Sequence, residues 1–244
     1  MVYGGKIYET EGGDAVAVHE AEAVRPLSPV PNAPTIRIYR SDLQPGIIAG
    51  IDAEDPLYFF ANPTNLLGAS QILNFPDGVG EVTIETYLVV VAVSDAFQIE
   101  VEIAEEIILG YTLMSLIVSH SIEGIETRTG AVGRSHDLGG VIGPVLTTPE
   151  EIEEQLVSME GGKRYDLPAV LRVNGVERAR GNADSLPFSA AEAISAASRF
   201  VPVRSGDIFA FGPLTTSDEP ILLGPGDEIQ LAGDLLGTLA LKLS

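Results

Sequence analysis

Two long apolar runs mark the centre of the chain, Val82 to Val93 and Gly110 to Val118. Apolar residues stand at consecutive positions in both, rather than alternating with polar ones. This pattern favours strands covered on both faces over strands half open to water. We therefore predict the core of a mainly β domain here, with a further strand over Phe97 to Val101.

Shorter strand-like segments precede this core at Lys6 to Tyr8, Ala15 to Val18 and Thr35 to Tyr39. A loop rich in proline separates the second of them from the third, and prolines of this kind punctuate a chain. We predict a small β-rich N-terminal unit with a linker over residues 1–50, followed by the main domain over residues 51–244. Another short apolar strand is expected at Leu57 to Ala61.

The C-terminal half predicts two helices and a hairpin. Thr148 can cap a helix to Met159, and Ser189 with Glu192 has the capping-box spacing for a helix to Arg199. Asn174-Gly175 between two strand-like runs is a strong hairpin signal. The fold class predicted is mainly β with few helices.

Charge limits the partners. There are 35 acidic and 14 basic residues, for a formal net charge of -21, so a phosphate backbone would be repelled and nucleic acid is not expected. Acids scattered along the chain with only three lysines indicate a protein adapted to a salt-rich cytoplasm, although an ordinary acidic protein fits as well. There is no cysteine, and the apolar runs are too short to span a bilayer, so we expect a soluble, cytoplasmic protein and no membrane partner.

Several short motifs then occur in a familiar order. They are Gly110-Tyr111-Thr112, Gly133-Arg134-Ser135-His136-Asp137, Gly143-Pro144, Val173-Asn174-Gly175, Gly206-Asp207, Gly212 and Gly224-Pro225-Gly226-Asp227. In this order and spacing the chain resembles the fumarylacetoacetate hydrolase family from about Leu57 to Ser244.

The resemblance implies a mixed β-sandwich roll, commonly dimeric, with the ligand in a cleft at the sheet edges. It implies hydrolysis, decarboxylation, isomerisation or dehydration of keto acids such as acylpyruvates and 2-keto-3-deoxy sugar acids. It also implies a Mg²⁺ or Ca²⁺ type ion that holds the keto acid and stabilises the enolate.

Departures from the family pattern change this expectation. The family's Glu-x-Glu pair appears as Glu85-Thr86-Tyr87, and the position of its metal-binding Asp is Leu116. Glu85 is thus the only surviving family ligand, too few for a hard cation. We therefore expect no metal at this position and no cofactor.

Other polar positions have changed as well. The basic residue of the family's Gly-Lys-Ser-Phe-Asp turn is Arg134 and its aromatic residue is His136, while the Thr-Gly-Thr turn that contacts a substrate carboxylate reads Phe211-Gly212-Pro213. If the family geometry holds, a rebuilt site could form, with Arg134 and Glu85 as tentative substrate-binding residues. The catalytic candidates are His120, Glu123, Arg134 and Asp137. Alternatively, His120 and Glu123 are an exposed pair after a strand, and Arg134 and Asp137 only tie a turn.

Ser135, His136 and Asp137 are the residue types of a hydrolytic triad. Consecutive residues cannot align nucleophile, base and orienting acid, so we do not interpret them as one.

Two functions follow from these departures. The first is a non-catalytic binding or structural member, a pseudoenzyme that forms a homodimer or pairs with a paralogue. The second is an active hydrolase or lyase on a small keto acid that uses the rebuilt site. A shifted alignment is a third possibility, in which a metal site is restored by nearby carboxylates: Glu81, Glu102, Glu105 or Glu106.

Overall fold

A computed structural model describes residues 2–3, 6–11, 14–20, 24, 26–41, 55–74, 78–130 and 133–244. At the N-terminus, β1 (Val2–Tyr3), β2 (Lys6–Glu11) and β3 (Asp14–Glu20) form an antiparallel three-stranded sheet. This agrees with the predicted β-rich unit. The predicted boundary between residues 50 and 51 lies outside the described residues, and the division into 1–50 and 51–244 stays a prediction.

A seven-stranded mixed sheet forms the centre of the molecule. Its strands, in spatial order, are β5 (Phe59–Ala61), β4 (Ile36–Arg40), β15 (Ile208–Gly212), β8 (Val82–Ala92), β9 (Ile108–Ser119), β10 (Gly140–Thr147) and β6 (Leu66–Gly68). The pairs β4 with β15 and β6 with β10 are parallel, and the others are antiparallel. The predicted central strands are thus confirmed as β8 and β9.

A second sheet of five strands packs against the first. Its order is β14 (Val176–Asn182), β13 (Pro168–Val173), β16 (Glu228–Gly233), β17 (Gly237–Leu243) and β7 (Gln71–Leu73). The turn from β13 to β14 is the predicted Asn174-Gly175 hairpin, and both residues have the positive φ that such a turn requires. A separate two-stranded sheet pairs β11 (Leu156–Ser158) with β12 (Arg164–Tyr165).

Alternation along β8 explains its continuous apolar run. Leu88 and Val90 belong to the large core between the two sheets, while Tyr87 and Val89 belong to a smaller core on the opposite face. The central strands are therefore covered on both sides, as the run of apolar residues predicts. The mainly β class, with the two-sheet roll and the small N-terminal unit, is confirmed.

Three α-helices complete the described part of the chain: α1 (Val101–Glu106), α2 (His120–Thr129) and α3 (Ala190–Ser198). The predicted helix after Ser189 is confirmed as α3, and its capping box with Glu192 is formed. No helix in these residues is both long and apolar enough to cross a membrane.

Two predicted elements are wrong. Residues Pro149–Gln155 form a 3-10 helix that leads into β11, because Ile152 is the single buried residue there and three α-helical turns would lack an apolar face. The expected strand at Phe97 to Val101 is an irregular segment that follows an isolated bridge between Ala96 and Val203, and Val101 begins α1.

Candidate active site

Glu85 lies on β8 at the end of the smaller core, with a side chain 13% exposed. Its Oε2 accepts a short hydrogen bond from the Tyr87 hydroxyl and lies 3.1 Å from His136 Nε2. Its Oε1 lies 3.1 Å from Arg40 Nη1. Burial raises the pKa of Glu85, but the hydrogen bond from His136 and the charge of Arg40 outweigh burial, so the pKa lies below its usual range. Glu85 is therefore an ionised carboxylate with both oxygens bound.

Tyr87 is the residue that replaces the second carboxylate of the family pair. Its ring is fully buried, and burial followed by the charge of Glu85 raises its pKa well above the ordinary value. The hydroxyl therefore keeps its proton and acts as a fixed donor to Glu85.

His136 is buried, packs edge-on against Phe59 at 4.9 Å between ring centroids, and contacts Ser135 through its other ring nitrogen. Ser135 Oγ lies 2.9 Å from His136 Nδ1 and 2.5 Å from Glu126 Oε2. A serine hydroxyl has one hydrogen, which goes to the carboxylate, so Oγ accepts from Nδ1–H. Contact between Nε2 and the Glu85 carboxylate is attractive only if Nε2 also carries a hydrogen. Both ring nitrogens thus lie within hydrogen-bond distance of an oxygen atom, one of Ser135 and one of Glu85.

Glu126 lies in helix α2, and its carboxylate contacts the start of the 3-10 helix Arg134–His136. Its carboxylate accepts from the Ser135 hydroxyl and from the backbone N–H groups of Ser135, Arg134 and Gly133. Burial raises the pKa of Glu126, but these hydrogen bonds together lower it below its usual range. Glu126 is thus a second ionised carboxylate, held inside a nest of donors.

Arg40, at the end of β4, joins Glu85 to helix α2. Its Nη1 lies 2.6 Å from Glu123 Oε1, in addition to the contact with Glu85, and its side chain is 16% exposed. Near this pair, His120 Nδ1 lies 4.0 Å from Glu123 Oε2, and the His120 side chain is 55% exposed. The cluster therefore reaches solvent at the His120 end.

Helix α2 brings three of these groups together. Ser119 caps its start by accepting from Ile122 N–H, and Gly130, at φ 70°, ends it. His120, Glu123 and Glu126 then recur every three residues, which spreads them along one side of the helix. Both capping residues are visible in the sequence, but the sequence analysis did not predict this helix.

The predicted site residues are only partly brought together. Glu85, Glu123 and His120 lie in one cluster, whereas Arg134 and Asp137 are exposed. Within the described residues, no hydrogen bond or ion pair joins the Arg134 or Asp137 side chain to the cluster. Sequence reasoning missed Arg40, His136 as a partner of Glu85, Ser135 and Glu126.

The triad-like run also takes a different form. The acid beside His136 is Glu85 and not Asp137, whose backbone carbonyl accepts from Asn65. Ser135 is completely buried, so its hydroxyl cannot serve as a nucleophile.

Strand pairing places the three family ligand positions together. Glu85 and Leu116 are direct cross-strand partners of β8 and β9, and Tyr87 follows two residues on, on the face of Glu85. Of the carboxylates that a shifted alignment would use, Glu102, Glu105 and Glu106 lie in α1 and Glu81 is exposed before β8.

The turn that replaces the family's carboxylate-binding turn lies beside Arg40. Gly212 is the Cα partner of Arg40 in the parallel pair of β15 and β4. The altered turn on β15 therefore lies between the strand of Arg40 and the strand of the retained carboxylate, Glu85.

Comparison with known proteins supports the motif pattern. The sequence model of the fumarylacetoacetate (FAA) hydrolase C-terminal family matches residues 47–244. Oxaloacetate tautomerase YisK of Bacillus subtilis is 28% identical over 192 residues, which cover 77% of this chain and 60% of that protein. The 2,4-didehydro-3-deoxy-L-rhamnonate hydrolase of a Sphingomonas species is 28% identical over 142 residues, covering 56% of this chain and 47% of that protein. The match thus spans less than two thirds of either relative.

The solved structures agree at the level of the fold. The 5-carboxymethyl-2-hydroxymuconate delta-isomerase of Mycobacterium smegmatis superimposes with a TM-score of 0.73 at 20% identity. The superposition covers 98% of this chain and 92% of that one.

The expectation that no cofactor takes part is wrong, because the matched family typically binds a divalent metal. The described residues do not fit such an ion at the family position. Glu85 faces Leu116, its oxygens are bound by Tyr87, His136 and Arg40, and no group of three metal-ligating side chains occurs among the described residues. We therefore derive no step through a metal.

The match over residues 47–244 covers most of the chain, and the sheet topology places Glu85, Tyr87 and Leu116 together as the motifs require. The chain belongs to the fumarylacetoacetate hydrolase family, in the group defined by its C-terminal domain.

Proposed function

We propose that this protein is an enzyme that acts on a small keto acid by keto–enol chemistry, with its active site at the cluster around Arg40. The single observation that carries the proposal is the position of Arg40, next to Glu85 and paired with Gly212. Relatives named as a tautomerase and a hydrolase support a catalytic protein more than the non-catalytic interpretation.

Arg40 binds the negatively charged oxygens of the substrate. A guanidinium matches a carboxylate in shape and charge, and it also stabilises the oxyanion that forms when a keto acid becomes an enolate. Glu85 and Glu123 hold its Nη1, so the guanidinium does not have to reorganise as charge develops.

His120 transfers the proton. In its neutral form the imidazole takes the proton from the carbon next to the keto group. The C–H electron pair then forms the C=C bond while the carbonyl π pair moves to the keto oxygen. The imidazolium then returns that proton to the oxygen to give the enol. Glu123, with Oε2 4.0 Å from Nδ1, stabilises the imidazolium in between, and the exposure of His120 gives it access to a ligand.

The test is turnover of oxaloacetate, acylpyruvates and 2-keto-3-deoxy sugar acids by the purified protein, with added Mg²⁺ or Mn²⁺ and with a chelator. We expect His120→Ala to lower kcat by about 100-fold, the lower end of general acid–base effects, while the exposed site leaves folding unchanged. Thr127→Ala in the same helix is the matched control and should keep full activity. Failure of the wild type to turn over any of these acids under all metal conditions would contradict the proposal.

A binding role without turnover is the second candidate, favoured by Tyr87 and Leu116 at two family ligand positions. It predicts that oxaloacetate stabilises the protein against heat but is not converted. The turnover assay separates the two candidates.

Assembly and environment belong to the proposal as well. We propose a homodimer, or a complex with a paralogue, in a salt-rich cytoplasm. Light scattering on the purified chain tests the first: a monomer at assay concentration would contradict the homodimer.

A further inference from the structure

The polar contacts around the candidate site form a continuous chain that starts and ends in α2. From Glu126 the chain passes to Ser135, His136, Glu85 and Arg40, and it returns to Glu123, three residues before its start. Because α2 links Glu123 to Glu126 covalently, the chain closes into a ring.

Acidic and basic side chains alternate around this ring. Glu126, Glu85 and Glu123 are acidic, while His136 and Arg40 are basic, and the Ser135 hydroxyl lies between Glu126 and His136. Each contact is 3.1 Å or shorter. Partly buried hydrogen bonds in such a network strengthen one another, so displacement of one member loosens its neighbours.

Glu126 and Ser135 form the buried part of the ring. Ser135 is completely buried and Glu126 is 7% exposed, so neither can touch a substrate. The 3-10 helix also has backbone hydrogen bonds of its own, including that from Asp137 N to Arg134 O, so the turn does not depend on this contact alone. Nothing in the proposed chemistry uses them directly.

We propose that Glu126 and Ser135 are positioning residues, which act through His136 and Glu85 to hold the guanidinium of Arg40 in place. This inference rests on the proposed function for its effect on turnover, but the ring itself is a property of the fold. Loss of the Ser135 hydroxyl frees His136 Nδ1 from its acceptor and lets Glu85 and Arg40 shift.

The first test is kinetic. Ser135→Ala and Glu126→Gln should lower kcat about 10-fold with KM changed less than about 2-fold. A displaced guanidinium still attracts the substrate carboxylate, but it is no longer aligned with the oxyanion that develops during the reaction. Ser135→Thr, which restores the hydroxyl, should regain most of the lost kcat. Glu192→Gln, which alters a capping carboxylate in α3, is the matched control and should leave kcat unchanged. A fall in kcat for the control equal to that of Glu126→Gln would overturn the positioning role.

The second test does not need turnover. A double-mutant cycle of Glu126→Gln and Arg40→Lys, followed by thermal unfolding, should give a loss in Tm smaller than the sum of the two single losses. The pair Glu192→Gln and Arg40→Lys should be additive. Coupling without turnover would reject the proposed function and keep the ring, whereas turnover with additive losses would reject the ring and keep the function.

Discussion

Strand β4 carries two arginines, three residues apart, whose environments differ sharply. Arg37 is buried against the large core, with a side chain that is 3% exposed. Its Nη1 donates hydrogen bonds to Asp207 at 3.0 Å and to Thr35 at 2.8 Å. Three aromatic rings lie close to its guanidinium. Arg40 lies at the strand end on the opposite face, between two carboxylates and close to solvent. A sealed charge can only hold the fold together, while a charge at the edge can meet a ligand.

The largest effect is expected from breaking the sealed pair. Arg37→Ala leaves the 1% exposed Asp207 carboxylate without its cation, which should cost about 3–5 kcal/mol of unfolding free energy. Urea unfolding measures this, with Lys242→Ala at the exposed Lys242–Glu228 pair as the control that changes little. Equal midpoints for the two variants would show that burial does not distinguish these ion pairs.

The next largest effect is expected at Arg40, where activity should fall much more than stability. Arg40→Lys keeps the charge but loses the planar guanidinium that bridges Glu85 and Glu123, so kcat/KM should fall about 100-fold. Arg37→Lys is the matched variant and should lower Tm while the folded enzyme keeps its kcat. A reversal of these two outcomes would exchange the roles of the two arginines.

A smaller effect on Tm is expected from salt, which should screen the exposed charges but not the buried pair of Arg37 and Asp207. With a net charge of -21, the protein should lose Tm as salt is diluted below about 1 M, where the Debye length exceeds about 3 Å. The Tm difference between wild type and Arg37→Ala should stay constant across the same range, because a buried pair is poorly screened. An unchanged Tm of the wild type in dilute buffer would argue against salt adaptation.

The smallest effect is a pH dependence at Glu126. Its pKa is lowered in the folded protein from an ordinary value of 4.5, so the stabilisation is complete above that value and is lost as pH falls through the folded pKa. Wild type should therefore exceed Glu126→Gln in Tm at neutral pH, and the gap should narrow on acidification below about pH 4.5. A gap that widens in acid would mean that the folded pKa is raised.

The sequence predicted the sheet better than the site, and the reason is the range of the interactions. Apolar runs at β8 and β9 and the Asn174-Gly175 turn are local signals, and the structure confirms them. In the sequence, Arg40 looks like any charged residue at the end of a strand. Its partners Glu85 and Glu123 become its neighbours only through long-range strand pairing and the placement of α2.

Family motifs pointed to Glu85, Tyr87 and Leu116, which strand pairing makes neighbours, but they could not show what surrounds these positions. His136 was noted only as the substitute for an aromatic residue, and Ser135 was set aside because it adjoins His136. Only the structure reveals that the acid for this pair comes from β8, 51 residues earlier. The Ser119 and Gly130 caps could have revealed α2, which carries the rest of the cluster.

The pairing of β4 with β15 also bears on how the molecule is made. Thr35 bonds Asp207 across 172 residues of sequence, so the large sheet cannot be completed until nearly the whole chain has left the ribosome. Contacts this distant slow folding and leave intermediate strands unpaired for longer. A nascent chain that stops before residue 208 would leave β4 and β8 without the strand that lies between them, and both arginines would lack their final surroundings.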